Sequence, residues 1–76
     1  MSKRQLDIII MEKVKKIREG KDIGPKQLSL GAGYYGELVN HVENSERKEK
    51  YNLYHLNDFA KFMKCSVKDF LTDDPI

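Results

Sequence analysis

The sequence predicts an all-α fold, a compact bundle of about five short helices forming one domain over residues 1–76, and three observations lead there. Apolar residues recur at three- and four-residue spacing in several windows, with no run that alternates with period two. Residues that start or stop helices punctuate those windows: Gly20, Pro25, Gly33, Asn52, Ser66 and Pro75. A chain of 76 residues has room for a single modest core and little room for an elaborate active-site cleft.

The first helix is expected over Gln5–Glu19, with Leu6, Ile9, Ile10, Val14 and Ile17 as its inward stripe and Gly20 as its terminator. Ile8 and Met11 fall off that stripe. A second helix is expected near Pro25–Leu30, since proline suits the first helical position, with Leu28 as its inward anchor. Gly31, Ala32 and Gly33 then supply a turn in which the backbone can take positive φ at little cost. A third helix is expected over Tyr35–Glu43, where Leu38, Val39 and Val42 share one face. After a polar loop at Asn44–Tyr51, Asn52 caps a fourth helix that turns Leu53, Leu56, Phe59, Ala60 and Met63 inward. Ser66 with Asp69 forms a capping box for a last short helix, and Val67, Phe70 and Leu71 bury its inner side. A short polar tail occupies 72–76.

Two short helices flanking a glycine turn, over approximately 24–43, have the layout of a helix-turn-helix. The face of the third helix that is left free carries Gly36, Glu37, Asn40 and His41. A short polar-faced helix on a small scaffold is what reading the major groove of duplex DNA requires. Asn40 can donate and accept at once and so bracket adenine. Glu37 can accept from the cytosine amino group, and His41 can donate to guanine or to a phosphate. These three are the candidate base contacts. Tyr34 and Tyr35 are candidates to place hydroxyls on phosphates, with core packing as the alternative for one of them.

Charge gives modest support. The formal net charge is only +2, but residues 1–50 hold 11 basic and 8 acidic side chains whereas residues 51–76 hold 3 and 4. Arg47, Lys48 and Lys50 lie in the loop after the third helix, where backbone phosphates would pass, and Glu46 and Glu49 interrupt them. Lys13, Lys15, Lys16, Arg18 and Lys21 are explained as well by the negative end of the first helix dipole. With 34% charged residues and no apolar run near ~20 residues, no membrane span is expected. Lys3, Arg4 and the apolar Ile8–Ile10 are not followed by a small-residue cleavage site, so no signal peptide is expected. The single cysteine, Cys65, cannot form an internal disulfide, and two histidines supply no metal-ligand spacing. No nucleophilic triad or phosphate loop is present, so no catalytic residue, metal, cofactor or small-molecule ligand is assigned. A reduced, cytoplasmic setting is the default.

From Val14 to Leu71 the chain resembles the Cro and repressor-type helix-turn-helix domains, also called the Xre family. The residues that carry the resemblance are Arg18, Leu28 with Ser29, Gly33, Val39 with Val42, Glu43, Leu56, Ala60 and the segment CSVKDFL. The resemblance implies a lambda-repressor-like bundle and a sequence-specific regulator of transcription that binds double-stranded DNA, as a homodimer, in a bacterial or phage cytoplasm. It also implies a structural ion pair between Arg18 and Glu43, a phosphate contact at Asn44, and Lys26 in place of the glutamine that usually holds a phosphate at the start of the second helix, where this chain has Pro25. Further departures are Tyr35 in place of a Ser or Thr cap, Gly36 at an early reading position, and Ser45 in place of a glycine. For the dimer, apolar surface near Phe70, Leu71 and Ile76 is the first candidate and the Ile8 and Met11 patch the second. The rival reading is a helix-turn-helix scaffold that binds protein rather than DNA, such as an antitoxin-like or anti-repressor subunit, favoured by Gly36, Glu37 and the mixed charge of the loop.

Overall fold

The computed structural model describes residues 3–76 and contains, among them, four α-helices, one 3-10 turn and no strand. The helices are α1 (Gln5–Gly20), α2 (Pro25–Gly31), α3 (Leu38–Glu43) and α4 (Leu53–Met63), and the 3-10 turn is Val67–Phe70. The last element is thus a single tight turn rather than a fifth α-helix. None of the helices is long and apolar enough to cross a membrane.

Local chemistry sets most of the boundaries. Asp7 Oδ2 accepts the Arg4 N–H at 2.9 Å and so satisfies one free donor ahead of α1. α1 ends at Gly20, but the residue that takes the left-handed conformation behind it is Asp22, with φ 57°. Pro25 opens α2, where its missing N–H costs nothing. Of Gly31, Ala32 and Gly33, expected together as the turn, Gly31 is the last residue of α2 and only Gly33 takes positive φ, at 92°. Gly31 serves a different purpose: a Cβ there would stand 2.4 Å from the Phe62 ring, so its absence is what lets α4 come close to α2. Asn52 Oδ1 accepts the His55 N–H at 2.9 Å and His55 Nδ1 accepts the Asn52 N–H at 3.0 Å, a reciprocal cap in which histidine stands where Glu or Gln is usual. Ser66 and Asp69 cap the 3-10 turn in the same two-way manner, with both hydrogen bonds at 3.1 Å.

One core joins these elements. Val14 from α1, Leu28 from α2, Leu38, Val39 and Val42 from α3, Leu56, Phe59, Ala60 and Met63 from α4, and Phe70 from the 3-10 turn are all buried. α2 packs most extensively on α3, while α1 spans α3 and the 3-10 turn. The Cα radius of gyration is 11.5 Å, close to the ~11 Å expected of a densely packed chain of this length.

Several sequence expectations need correction. α3 begins at Leu38 rather than Tyr35, because Tyr35 offers no cap and the chain turns through Gly36 and Glu37 first. Met11 packs against the core and Leu6 does not, so the inward stripe of α1 is rotated toward Ile10, Met11, Val14, Ile17 and Arg18. Leu53 is 69% exposed, and Leu6 and Leu71 are exposed as well. Phe70 is fully buried and Met11 is engaged with the core, which removes both from the apolar surfaces considered for a dimer; Ile8, Leu71 and Ile76 stay exposed.

Candidate nucleic-acid interface

The site is built on α3, whose inner face is held by more than apolar packing. Ser29 on α2 is fully buried. Its hydroxyl donates to Pro25 O at 2.9 Å and accepts the Val39 N–H at 3.0 Å. Val39 is the second residue of α3, so its N–H is one of the donors that a helix start leaves free. A serine on the preceding helix therefore supplies the cap that α3 lacks in its own sequence. Together with the buried Leu38, Val39 and Val42, this hydrogen bond fixes where α3 starts and how it lies on α2.

The far end of α3 is fixed by charge. Arg18, 5% exposed, donates from Nη2 to Glu43 Oε1 at 3.1 Å and from Nε to Glu43 Oε2 at 3.3 Å, and its Nη1 donates to Ile23 O at 2.9 Å. Arginine cannot shed its proton inside a protein, so a two-pronged carboxylate and a carbonyl are what make its burial tolerable. This contact joins α1, the α1–α2 loop and the last residue of α3. Beside it the Tyr51 hydroxyl is buried with no hydrogen-bond partner among the described residues, and burial first, the Glu43 charge second, raise its pKa.

With α3 clamped at both ends, positions 37, 40, 41 and 44 fall on its other face at i, i+3, i+4 and i+7 spacing. Glu37 and Asn40 are exposed and joined, Asn40 Nδ2 donating to Glu37 Oε1 at 3.2 Å. The half-buried His41 lies with Nδ1 3.2 Å from the hydroxyl of the exposed Tyr35. Lys26, on α2, runs beside this face, its Cε 3.4 Å from where a Gly36 Cβ would be. An ordinary side chain at Gly36 would meet only van der Waals contact, so the glycine leaves a gap in the face that sterics do not require.

The remaining candidates are distributed differently from the sequence expectation. Tyr34 is a packing residue: its ring lies edge-on to His55 and Phe59, and its hydroxyl donates to Asp58 on α4. That hydrogen bond, with burial and the Asp58 charge behind it, pushes the Tyr34 pKa up to about 12. Asn44 uses its side-chain oxygen on the Glu46 N–H at 2.9 Å and its backbone carbonyl on Lys3 Nζ at 3.0 Å. Lys3 also donates to Arg47 O at 2.8 Å, so the N-terminal arm braces the loop after α3. Arg47 holds Glu49 with two hydrogen bonds, at 3.0 and 2.7 Å, which keeps the Glu49 carboxyl down at about 2. Lys50 sits 3.7 Å from Asp7 at the start of α1, apart from the α3 face. Lys48 is exposed and makes no ion pair among the described residues.

The sequence reading missed four participants: Ser29 as a cap, Asp58 as the acceptor of Tyr34, Glu49 as the partner of Arg47, and Lys3 as a brace. Only the two-residue spacing of Arg47 and Glu49 was open to sequence inspection; the others join residues far apart in the chain. His55 stands half-buried in a cluster with Tyr34, Tyr51 and Phe59, and burial lowers its pKa against the opposing pull of Asp58. Burial, with the Asp69 charge behind it, likewise raises the Cys65 thiol against the opposing pull of Lys21. Comparison with protein-family models, with curated proteins and with solved structures returned no match.

Proposed function

We propose that α2 and α3 form the helix-turn-helix of a Cro/repressor-type domain, which binds duplex DNA in the cytoplasm and regulates transcription. The observation that carries this reading is α3 itself. A six-residue helix has its apolar face and both ends tied to the scaffold, and carries the exposed Asn40 and half-buried His41 on its other face, with the exposed Glu37 just ahead of it. A helix that must place side chains against base edges needs that rigidity, because loose readers lose the geometry on which discrimination rests. Lys26 on one side and Arg47 and Lys48 on the other supply charge for the phosphates, and Tyr35 and Asn44 supply polar groups. One such helix offers few base contacts, so two copies bind as a homodimer, on half-sites roughly 34 Å apart.

A second reading has a specific observation in its favour. Arg47 is already occupied by Glu49, and Glu37 adds a negative charge to the face, an arrangement that suits a protein partner better than a polyanion. A salt series on random-sequence duplex DNA separates the two. Binding at about 50 mM salt that weakens steeply as salt rises supports the DNA reading, and no binding there favours the protein-binding scaffold.

A further inference from the structure

His55 holds the start of α4 through an atom that acid converts from acceptor to donor. Its Nδ1 accepts the Asn52 N–H at 3.0 Å, while its backbone N–H donates to Asn52 Oδ1 at 2.9 Å. A ring nitrogen that accepts carries no proton, so the imidazole is neutral and its proton lies on Nε2. The Glu or Gln usual in such a box keeps its acceptor in mild acid; histidine does not. We infer that His55 is an acid-sensitive latch, which ties the start of α4 to the turn between α2 and α3 while neutral and releases it when protonated. The ring itself is the tie. It lies edge-on to Tyr34, just past that turn, with centroids 4.8 Å apart, and nearly parallel to the buried Phe59 at 6.2 Å. Protonation turns Nδ1 into a donor facing the Asn52 donor, so the ring must leave or the cap must open. It also places a cation in the first turn of α4, where the positive end of the helix dipole opposes it.

Burial opposes the charge as well and lowers the His55 pKa below the ordinary 6.5. The surrounding groups compensate little. On α4 itself Asp58 pulls the other way, but its carboxylate accepts the Tyr34 hydroxyl and makes no ion pair with His55 among the described residues. From the turn and from the segment before α4 the ring meets Tyr34 and Tyr51, whose raised pKa values keep both neutral. Glu43 and Arg18, which act on Tyr51, are paired with one another. Because the folded pKa lies below the unfolded one, the unfolded chain takes up the proton first. The stabilisation is therefore whole above the ordinary 6.5 and is lost as pH falls from there through the folded value. Nothing in the latch depends on what α3 binds.

His55→Gln keeps a side-chain acceptor at the same cap position and cannot titrate. Urea melts of wild type and His55→Gln between about pH 7.5 and about pH 5 test the latch, with His41 present in both proteins so that its titration cancels. The wild-type unfolding constant should rise relative to that of the variant as pH falls, by up to about tenfold per pH unit. A ratio that stays flat across that range would overturn the inference. NMR of wild type alone gives an independent reading, whether or not the variant folds. The neutral ring should be the Nε2–H tautomer, titrate below 6.5 in the folded protein, and release the Asn52 amide from hydrogen-exchange protection in step with its titration. A neutral ring protonated at Nδ1, a titration at or above 6.5, or an Asn52 amide whose protection ignores that titration would each overturn it.

Discussion

Ser29→Ala isolates the hydrogen bond that starts α3, because alanine differs from serine there by one hydroxyl and leaves almost no cavity. Two bonds are lost. The Pro25 carbonyl lies near the start of α2, and its loss is the milder of the two. The Val39 N–H is the serious one, since it sits on the core side of α3 with Val39 and Ser29 both fully buried. Stranding a buried donor costs about 1–3 kcal/mol. Alanine returns up to about 0.7 kcal/mol through its better helix propensity at a position inside α2. With that full return the net loss is about 0.3–2.3 kcal/mol. For a domain of this length a loss of about 1.5 kcal/mol lowers Tm by roughly 6–12 °C. Urea and thermal melts measure the loss. Hydrogen exchange at the Val39 amide localises it, and protection there should drop by more than at Phe59. A Ser29→Ala protein within about 0.3 kcal/mol of wild type, with Val39 still protected, would refute the claim that α2 caps α3.

The remaining predictions concern the other tertiary ties. Glu43→Ala should cost about 2–4 kcal/mol by leaving the Arg18 guanidinium buried with only Ile23 O and the more distant Glu19; additive losses in the Arg18→Ala, Glu43→Ala and double-mutant series by urea melts would show that the two do not interact. Gly31→Ala should destabilise by about 1–3 kcal/mol through its clash with Phe62, and adding Phe62→Ala should cancel most of that increment; a neutral Gly31→Ala would show that the ring moves aside freely. Glu49→Gln should free Arg47, tighten binding to all duplex sequences and steepen the salt slope by about 0.9, whereas Lys48→Ala should lower that slope by a similar amount; unchanged slopes would remove this loop from the phosphate contacts. Tyr34 is held protonated up to about 12 against an ordinary 10.0, so its contribution to stability is complete below pH 10 and is lost as pH rises from there toward 12. Asp58→Asn should bring its phenolate absorbance transition back toward 10, and an unmoved transition would mean that Asp58 is not the cause.

What the sequence determined by itself was local. Heptad-like spacing placed α1 and α4 within a residue or so, the Ser66 and Asp69 pair identified the last cap, and Pro25 marked the start of α2, because each of these depends on neighbours within about four positions. The direction of the inner face of α4 was legible too, but its extent was not: Leu53 is in phase with Leu56 and still exposed, since periodicity gives a direction and says nothing about what lies opposite. Arg18 and Glu43 lie 25 residues apart, and nothing local in the sequence pairs them; only the resemblance to a family pattern does. Tertiary structure alone decided the character of the candidate interface. It moved the start of α3 to Leu38, because the cap comes from Ser29 on another helix; it took Tyr34 from the phosphates to Asp58, because that carboxylate arrives with α4; and it drew Lys50 to Asp7 and Lys3 to the loop after α3. In each case a polar group took the partner that folding brought within about 3–4 Å, and hydrogen-bond and Coulomb energies fall off too steeply with distance for sequence separation to stand in for it.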